Sequence, residues 1–205
     1  MPSLYKKFLI LIIAVNFVHI LYANPIIEVF QDYQNRTIEL KQIVDEQLFA
    51  QAAPIFTTAL LKAYENLTDK DIKLAKNLTR TERLSSYFQQ EELLPFCEKN
   101  FFVVGAFFED HLIGYISFDK PTKSDELYIR QLVVNTNYWQ SGIGRKLVFS
   151  TLTLFPNTTC LALVTRRNNE CARIFYKHLA FDECEDYVHS PWDPQDFIGY
   201  KKIIT

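Results

Sequence analysis

The chain lacks the signatures of several common site classes. Its four cysteines, Cys97, Cys160, Cys171 and Cys184, include no Cys-x-x-Cys pair, and their spacings of 63, 11 and 13 match no zinc pattern, so no metal is expected. Each lies in or beside an apolar run, which reads as an isolated buried thiol rather than part of a disulfide framework, although export would permit disulfides. Basic residues form no long run and the formal charge is −2, leaving no general electrostatic case for nucleic acid. The glycines form neither the Gly-x-Gly-x-x-Gly of a dinucleotide fold nor a Gly-x-x-x-x-Gly-Lys-Ser/Thr loop. No internal repeat or low-complexity segment occurs.

What the chain does have is apolar surface. Apolar residues make up 48% and aromatics 15% of 205 residues, enough for one packed domain. The N-terminus is distinct: Lys6 and Lys7 precede the almost wholly apolar residues 8–23, followed by Asn24-Pro25. A positive flank, an apolar stretch and a small residue, Ala23, fit a signal peptide over 1–23, with residues 24–205 as the domain. An uncleaved signal-anchor with membrane association through 8–23, or a buried first helix carrying Asn16 and His19, are the alternatives. The layout of charge favours an exported or anchored domain.

Along the chain, residues 36–43 alternate weakly as a first strand. Residues 45–67 have helical spacing behind Asp45, with Pro54 as a kink or break, and the more charged 68–94 continues as helix with a break near Asn77. Two apolar runs flanking Glu109-Asp110-His111 predict a hairpin, and 126–134 a further strand. Helix over 143–155, strand over 160–167, helix over 168–181 and a closing strand over 197–204 complete the order. Antiparallel strands followed by a βαβα unit imply an α+β fold, a mainly antiparallel sheet with helices on both faces.

Chemistry concentrates at "NTNYWQSGIGRKLVF", residues 135–149, where a strand gives way to a helix through Gly142 and Gly144. The first amides of a helix have no intrahelical partner, the helix dipole adds partial positive charge, and glycine lets anion oxygens approach. The amides of Gln140, Ser141, Gly142, Ile143, Gly144 and Arg145 can therefore wrap a pyrophosphate; a glycine pair kept only for close strand-to-helix packing would look the same. Further on, Asn169, Ala172 and Tyr176 share one helical face, which also fits a buried aromatic–alanine stripe.

Together, "QLVVNTNYWQSGIGRKLV" and "NNECARIFYKHLAF" resemble the two central motifs of the GCN5-related N-acetyltransferase (GNAT) superfamily. The first is similar to its Arg/Gln-x-x-Gly-x-Gly/Ala coenzyme A loop, the second to Asn-x-x-Ala-x-x-x-Tyr-x-x-x-Gly-Phe. The family's Arg/Gln falls on Trp139, with Gln140 next door, and its glycine before Phe falls on Ala180.

The resemblance implies a set of roles. Main-chain groups of Leu132, Val133 and Val134, on the edge freed where two strands splay, pair with the pantetheine arm like an added strand, and one amide polarises the thioester carbonyl. Residues 140–145 hold the pyrophosphate, Asn169 meets the cofactor arm or orders the strand exit, and Tyr176 protonates the departing thiolate. A phenol of pKa about 10 stays protonated at neutral pH and can donate to a thiolate. The family's places for a general base carry Val164, Arg130 and Gln131 here; Glu126, a water chain or an amine arriving neutral are the options. Arg130 is either a contact for an acidic group on the acceptor or an exposed strand residue, and neither His111 nor His189 is well placed.

The implied protein is an acetyl-CoA-dependent N-acetyltransferase, with direct attack of a primary amine on the thioester and no metal. The amine is a small molecule, peptide or protein lysine, covered by residues 45–94 and 185–197. The rival is a non-catalytic coenzyme A-binding or interaction module on the same fold. The leader makes it credible, because an exported domain is parted from cytosolic acetyl-CoA.

Overall fold

A computed structural model describes residues 24–68, 78–98, 101–119, 125–188 and 193–205. The leader at 1–23, the expected break near Asn77 and His189 lie outside the described residues. No helix among them is long and apolar enough to cross a membrane.

The chain opens with strands β1 (Ile26–Gln31) and β2 (Thr37–Ile43), then helices α1 (Glu46–Ala50), α2 (Ala52–Ala63), α3 (Arg80–Tyr87) and α4 (Leu94–Cys97). Strands β3 (Phe101–Phe108), β4 (His111–Asp119) and β5 (Glu126–Val134) lead to α5 (Ile143–Leu154), β6 (Cys160–Arg166), α6 (Glu170–His178), β7 (Asp182–Cys184) and β8 (Phe197–Ile203). One eight-stranded sheet results, ordered β1-β2-β3-β4-β5-β6-β8-β7. Every neighbouring pair is antiparallel except β5 and β6. The α+β fold with helices on both faces stands as expected. Phe49, Phe56, Phe88, Tyr115 and Val133 form the core under α1–α4, while Ile143, Leu147, Val148, Tyr176 and Leu179 form that under α5 and α6.

The β3–β4 hairpin turns on Glu109 and Asp110, both at positive φ (48° and 63°), the geometry of a two-residue turn matched to strand twist. His111 is already the first residue of β4.

Several expectations need correction. Strand β1 was not foreseen; it adds an outer strand that hydrogen-bonds β2. The first helical stretch breaks at Gln51, which caps both α1 and α2. Pro54 instead lies in the first turn of α2, where its missing N–H has no intrahelical partner to lose. Within the described part of the second stretch, α3 begins behind a capping box of Thr79 and Glu82 and passes through a π-helical turn, Phe88–Leu93, before α4. The thiols are unpaired as expected, but Cys160 alone is buried, while Cys97 and Cys171 are exposed.

Candidate functional site

The parallel pairing of β5 with β6 is short. It joins Glu126, Leu127 and Tyr128 to Cys160, Leu161 and Ala162, and then stops. Beyond Tyr128, β5 keeps its partner β4 as far as Val134, and β6 keeps β8 as far as Arg166. The two strands therefore splay, and β5 presents an unpaired edge to a wedge.

Strand alternation decides which groups face it. The Asn135 N–H goes to the Ile113 carbonyl of the β4 side (2.8 Å), so Val133 shares that direction while Leu132 and Val134 turn their main chain to the wedge. The Val134 carbonyl accepts the indole N–H of Trp139 (2.7 Å). Trp139 thus reaches back to the strand edge. Val133 points its side chain into the core under α1–α4.

The glycine loop sits at the end of β5. Gln140 (φ 60°) and Gly142 (φ 88°) are both left-handed, and Gly142 caps α5 with no side-chain hydrogen bond. The first intrahelical bond runs from the Lys146 N–H to the Gly142 carbonyl (3.1 Å), so the amides of Ile143, Gly144 and Arg145 point out of the helix end. Ser141 is buried and structural: its hydroxyl donates to the Tyr138 carbonyl (2.5 Å) and its carbonyl accepts from the Tyr33 N–H (3.2 Å). Arg145 is exposed. The two glycines serve different ends. A Cβ on Gly142 would come within 3.0 Å of the exposed Tyr33 ring, and its φ disfavours any side chain. A Cβ on Gly144 would meet the Phe175 ring of α6 at 3.2 Å, so close packing accounts for it without an anion.

Across the wedge, Asn169 caps α6 by accepting from the Ala172 N–H (3.2 Å), and its amide nitrogen lies 3.5 Å from the Tyr64 hydroxyl. Tyr64 closes α2, so this contact ties the helices of one face to the exit of β6. Burial pushes the Tyr64 phenol up, against the nearby charge of Arg166. Tyr176 is 5% exposed and packs against Phe175, Phe181 and Tyr200. Burial, then the neighbouring Tyr128 phenol, pushes it well up, so it is protonated at any physiological pH. Tyr128 is the last residue of β5 paired with β6, so the phenol that acts on Tyr176 lies where the wedge begins.

The acids are distributed differently from expectation. Glu126, one of the options for a general base, is engaged elsewhere: it accepts from Tyr187 (2.7 Å) and Lys201 (2.8 Å). Burial raises its carboxyl, but those two donors outweigh burial and hold it low. Arg130 is not an exposed strand residue either. It donates to Asp119 and to the Glu91 carbonyl, each at 3.1 Å, and lies over the Phe101 ring.

Glu92 belongs to neither sequence motif. It lies in the π-helical turn, is 1% exposed, and accepts from Ser117 Oγ (3.1 Å). Burial pushes its carboxyl up to about 7, against the charge of Arg130 and the Ser117 hydrogen bond. A signal existed: Leu84, Phe88, Glu92 and Phe96 recur every four residues, so a glutamate occupies a position of the apolar stripe.

The geometry fits a coenzyme A thioester: an open strand edge for the amide-bearing arm, free helix amides for the pyrophosphate, and a phenol at the wedge apex. Comparison with known proteins bears on family and fold. The family model for the acetyltransferase (GNAT) family matches residues 69–181. No curated protein sequence matches the chain. Among solved structures, the PaiA N-acetyltransferase of Thermoplasma acidophilum, in complex with coenzyme A, is similar at 17% identity and TM-score 0.64, over 82% of this chain and 99% of that one. The ribosomal-protein-S18-alanine N-acetyltransferase of Escherichia coli gives 16%, 0.53, 82% and 94%, and a ribosomal L7/L12 alpha-N-protein acetyltransferase in complex with coenzyme A gives 16%, 0.53, 88% and 98%. At these identities the likeness is one of fold.

Proposed function

The chain belongs to the acetyltransferase (GNAT) family, and from that premise we propose that it transfers the acetyl group of acetyl-CoA to a primary amine by direct attack. Family membership supports acetyl-CoA-dependent acetyl transfer in general; the amine is our reading. The observation that carries it is the coincidence, at one end of β5, of an unpaired strand edge, a helix N-terminus with free amides, and the Asn169–Tyr176 face.

In this reading Leu132 and Val134 offer main-chain groups to the pantetheine arm as an added strand would. Trp139 must release the Val134 carbonyl if the arm uses it. The amides of residues 140–145 receive the pyrophosphate, with Arg145 adding charge from outside. An amide of the β5 edge polarises the thioester carbonyl, and the preorganised donor costs nothing to orient during reaction. Asn169 holds the wedge open by capping α6. Tyr176 supplies the proton for the sulfur leaving group. No metal is required. Placement of the domain relative to a membrane rests on residues 1–23, for which export or anchoring remains the proposal.

The rival reading, a binding module without turnover, draws on the burial of Tyr176 among aromatic rings. One experiment decides between them. Tyr176→Phe keeps the ring contacts and removes the hydroxyl, so acetyl-CoA affinity should hold while kcat for thiol release falls about 10²- to 10⁴-fold. Acetyl-CoA binding with no amine of a broad panel acetylated by the wild type would favour the module. An equally fast phenylalanine variant would remove the acid role.

A further inference from the structure

Glu92 is 1% exposed and lies four residues from both Phe88 and Phe96, which pack with Phe49 and Tyr115 in the core under α1–α4. A carboxyl there destabilises the fold relative to an apolar side chain of similar size unless its charge is matched. The match is incomplete. Ser117 donates one hydrogen bond, while Arg130 directs its terminal nitrogens to Asp119 and the Glu91 carbonyl. Beside it are two buried polar atoms without a partner among the described residues, the Tyr115 hydroxyl and Arg130 Nε. Orphaned buried donors mark a place where water or a reacting group belongs.

The cluster is also placed for the reaction. Ser117 lies directly across β4–β5 from Gln131, which precedes Leu132 on the open edge of β5. At the end of α3, the charge of Glu92 helps burial to push the Tyr87 phenol up, and the Gln131 side chain draws it down. All these groups are on the sheet face opposite α5, so a donor held at the α5 loop and an acceptor entering from the α2–α3 side would meet at the wedge.

We propose that Glu92 is the terminal proton acceptor for the acceptor amine, reached through the Tyr87 hydroxyl beside Gln131. The inference rests on the N-acetyltransferase reading. An ammonium entering the site loses one N–H proton to the Tyr87 oxygen, and the neutral nitrogen then bonds the acetyl carbon. The proton already on Tyr87 passes to the Glu92 carboxylate. The carbon–sulfur bond breaks with its electron pair on sulfur, which takes the Tyr176 proton. As the adduct collapses to the amide, its second N–H bond breaks and that proton restores Tyr176, while Glu92 returns its own proton to solvent.

Titration supports this role. The groups facing Glu92 are Tyr87 from α3, Glu91 from its own turn, Tyr115, Ser117 and Asp119 from β4, and Arg130 from β5. Their balance with burial leaves Glu92 near 7, where a base is both ionised and able to hold a proton. Burial, then Glu92 and Glu91, pushes Tyr87 up to about 12, so Tyr87 relays rather than ionises. Glu126 is occupied by Tyr187 and Lys201 and is held low.

The test uses the full chain. Calorimetric titration of the wild type and Glu92→Gln with coenzyme A examines the cofactor site alone. Thiol release from acetyl-CoA is then followed with two probes. Nα-acetyl-lysine amide carries an ammonium of pKa about 10.4 that must lose a proton, whereas hydroxylamine arrives neutral at about pH 7. Glu92→Gln should lower kcat/KM for the lysine amide about 10²-fold or more, abolish its low-pH limb, and change the hydroxylamine rate less than roughly threefold. Equal loss with both probes, or an unchanged lysine-amide profile, overturns the proposal. Coenzyme A binding by a wild type that acetylates neither probe removes the enzymatic reading and this inference with it. No coenzyme A binding removes the site assignment first. Should Glu92→Gln not fold, Ser117→Ala serves: losing a donor to the carboxylate moves the low-pH limb to higher pH, and an unmoved limb overturns the proposal.

Discussion

Replacing Glu92 by glutamine should make the protein more stable, and increasingly so as pH rises. The ordinary glutamate value is 4.5, while the folded protein holds Glu92 at about 7. Between those values the native state binds a proton that the unfolded chain has released. Stability from this group is therefore complete below about 4.5 and is lost as pH rises through about 7, because burial is tolerable only for the neutral acid. A separation of about 2.5 units, at 1.36 kcal/mol each, amounts to about 3 kcal/mol on the alkaline side. Glutamine keeps the shape and an oxygen for the Ser117 hydroxyl but cannot ionise. Thermal melts from about pH 4.5 to 8.5 should show the variant and wild type close together at the acid end. At the alkaline end the variant should lead by roughly 6–12 °C, taking 2–4 °C per kcal/mol for a chain of this size. A constant offset across pH, or a variant that is less stable in base, would refute the buried-carboxylate argument. Stability gained where rate is lost is the trade expected of a group retained for function.

Two further substitutions probe the wedge. Asn169→Ala removes the side chain that caps α6 at Ala172 and should cost about 1 kcal/mol, or roughly 2–4 °C in Tm by calorimetric scan. Tyr176→Phe, although slow in thiol release, should melt within about 2 °C of the wild type, since its ring contacts with Phe175, Phe181 and Tyr200 persist.

The sequence made the second half of the fold legible because its periodicities are clean. Residues 126–134 form β5 to the residue, and the expected helix over 143–155 is observed as Ile143–Leu154. The loop between them showed itself through glycine, whose left-handed freedom the turn uses at Gly142. The first half was harder to read. Strand β1 carries exposed Ile26 and Val29 and follows the apolar leader directly, so no alternation separated it from its surroundings. Pro54 drew the break to itself, whereas a proline in a first helical turn breaks nothing. Strand β7, at three residues, is too short to show a period. Glu92 was hidden for a different reason. A charged residue in a charged helix reads as solvated, and only its place in the Leu84–Phe88–Glu92–Phe96 stripe marks it as inward. Which residues an acceptor touches depends on how α2, α3 and the β7–β8 segment come together in space, which no local pattern encodes.

Whether the α5 loop and the β5 wedge hold acetyl-CoA is decided by calorimetric titration of coenzyme A into the wild type and Arg145→Glu. Arg145 is exposed, and a glutamate in the first turn of α5 complements the helix dipole, so the variant should fold at least as well as the parent. One coenzyme A should bind per wild-type chain, with affinity about tenfold weaker in the variant at low salt and the gap narrowing as salt screens the reversed charge. Absence of binding by the wild type, or equal affinity in the two proteins, would contradict it.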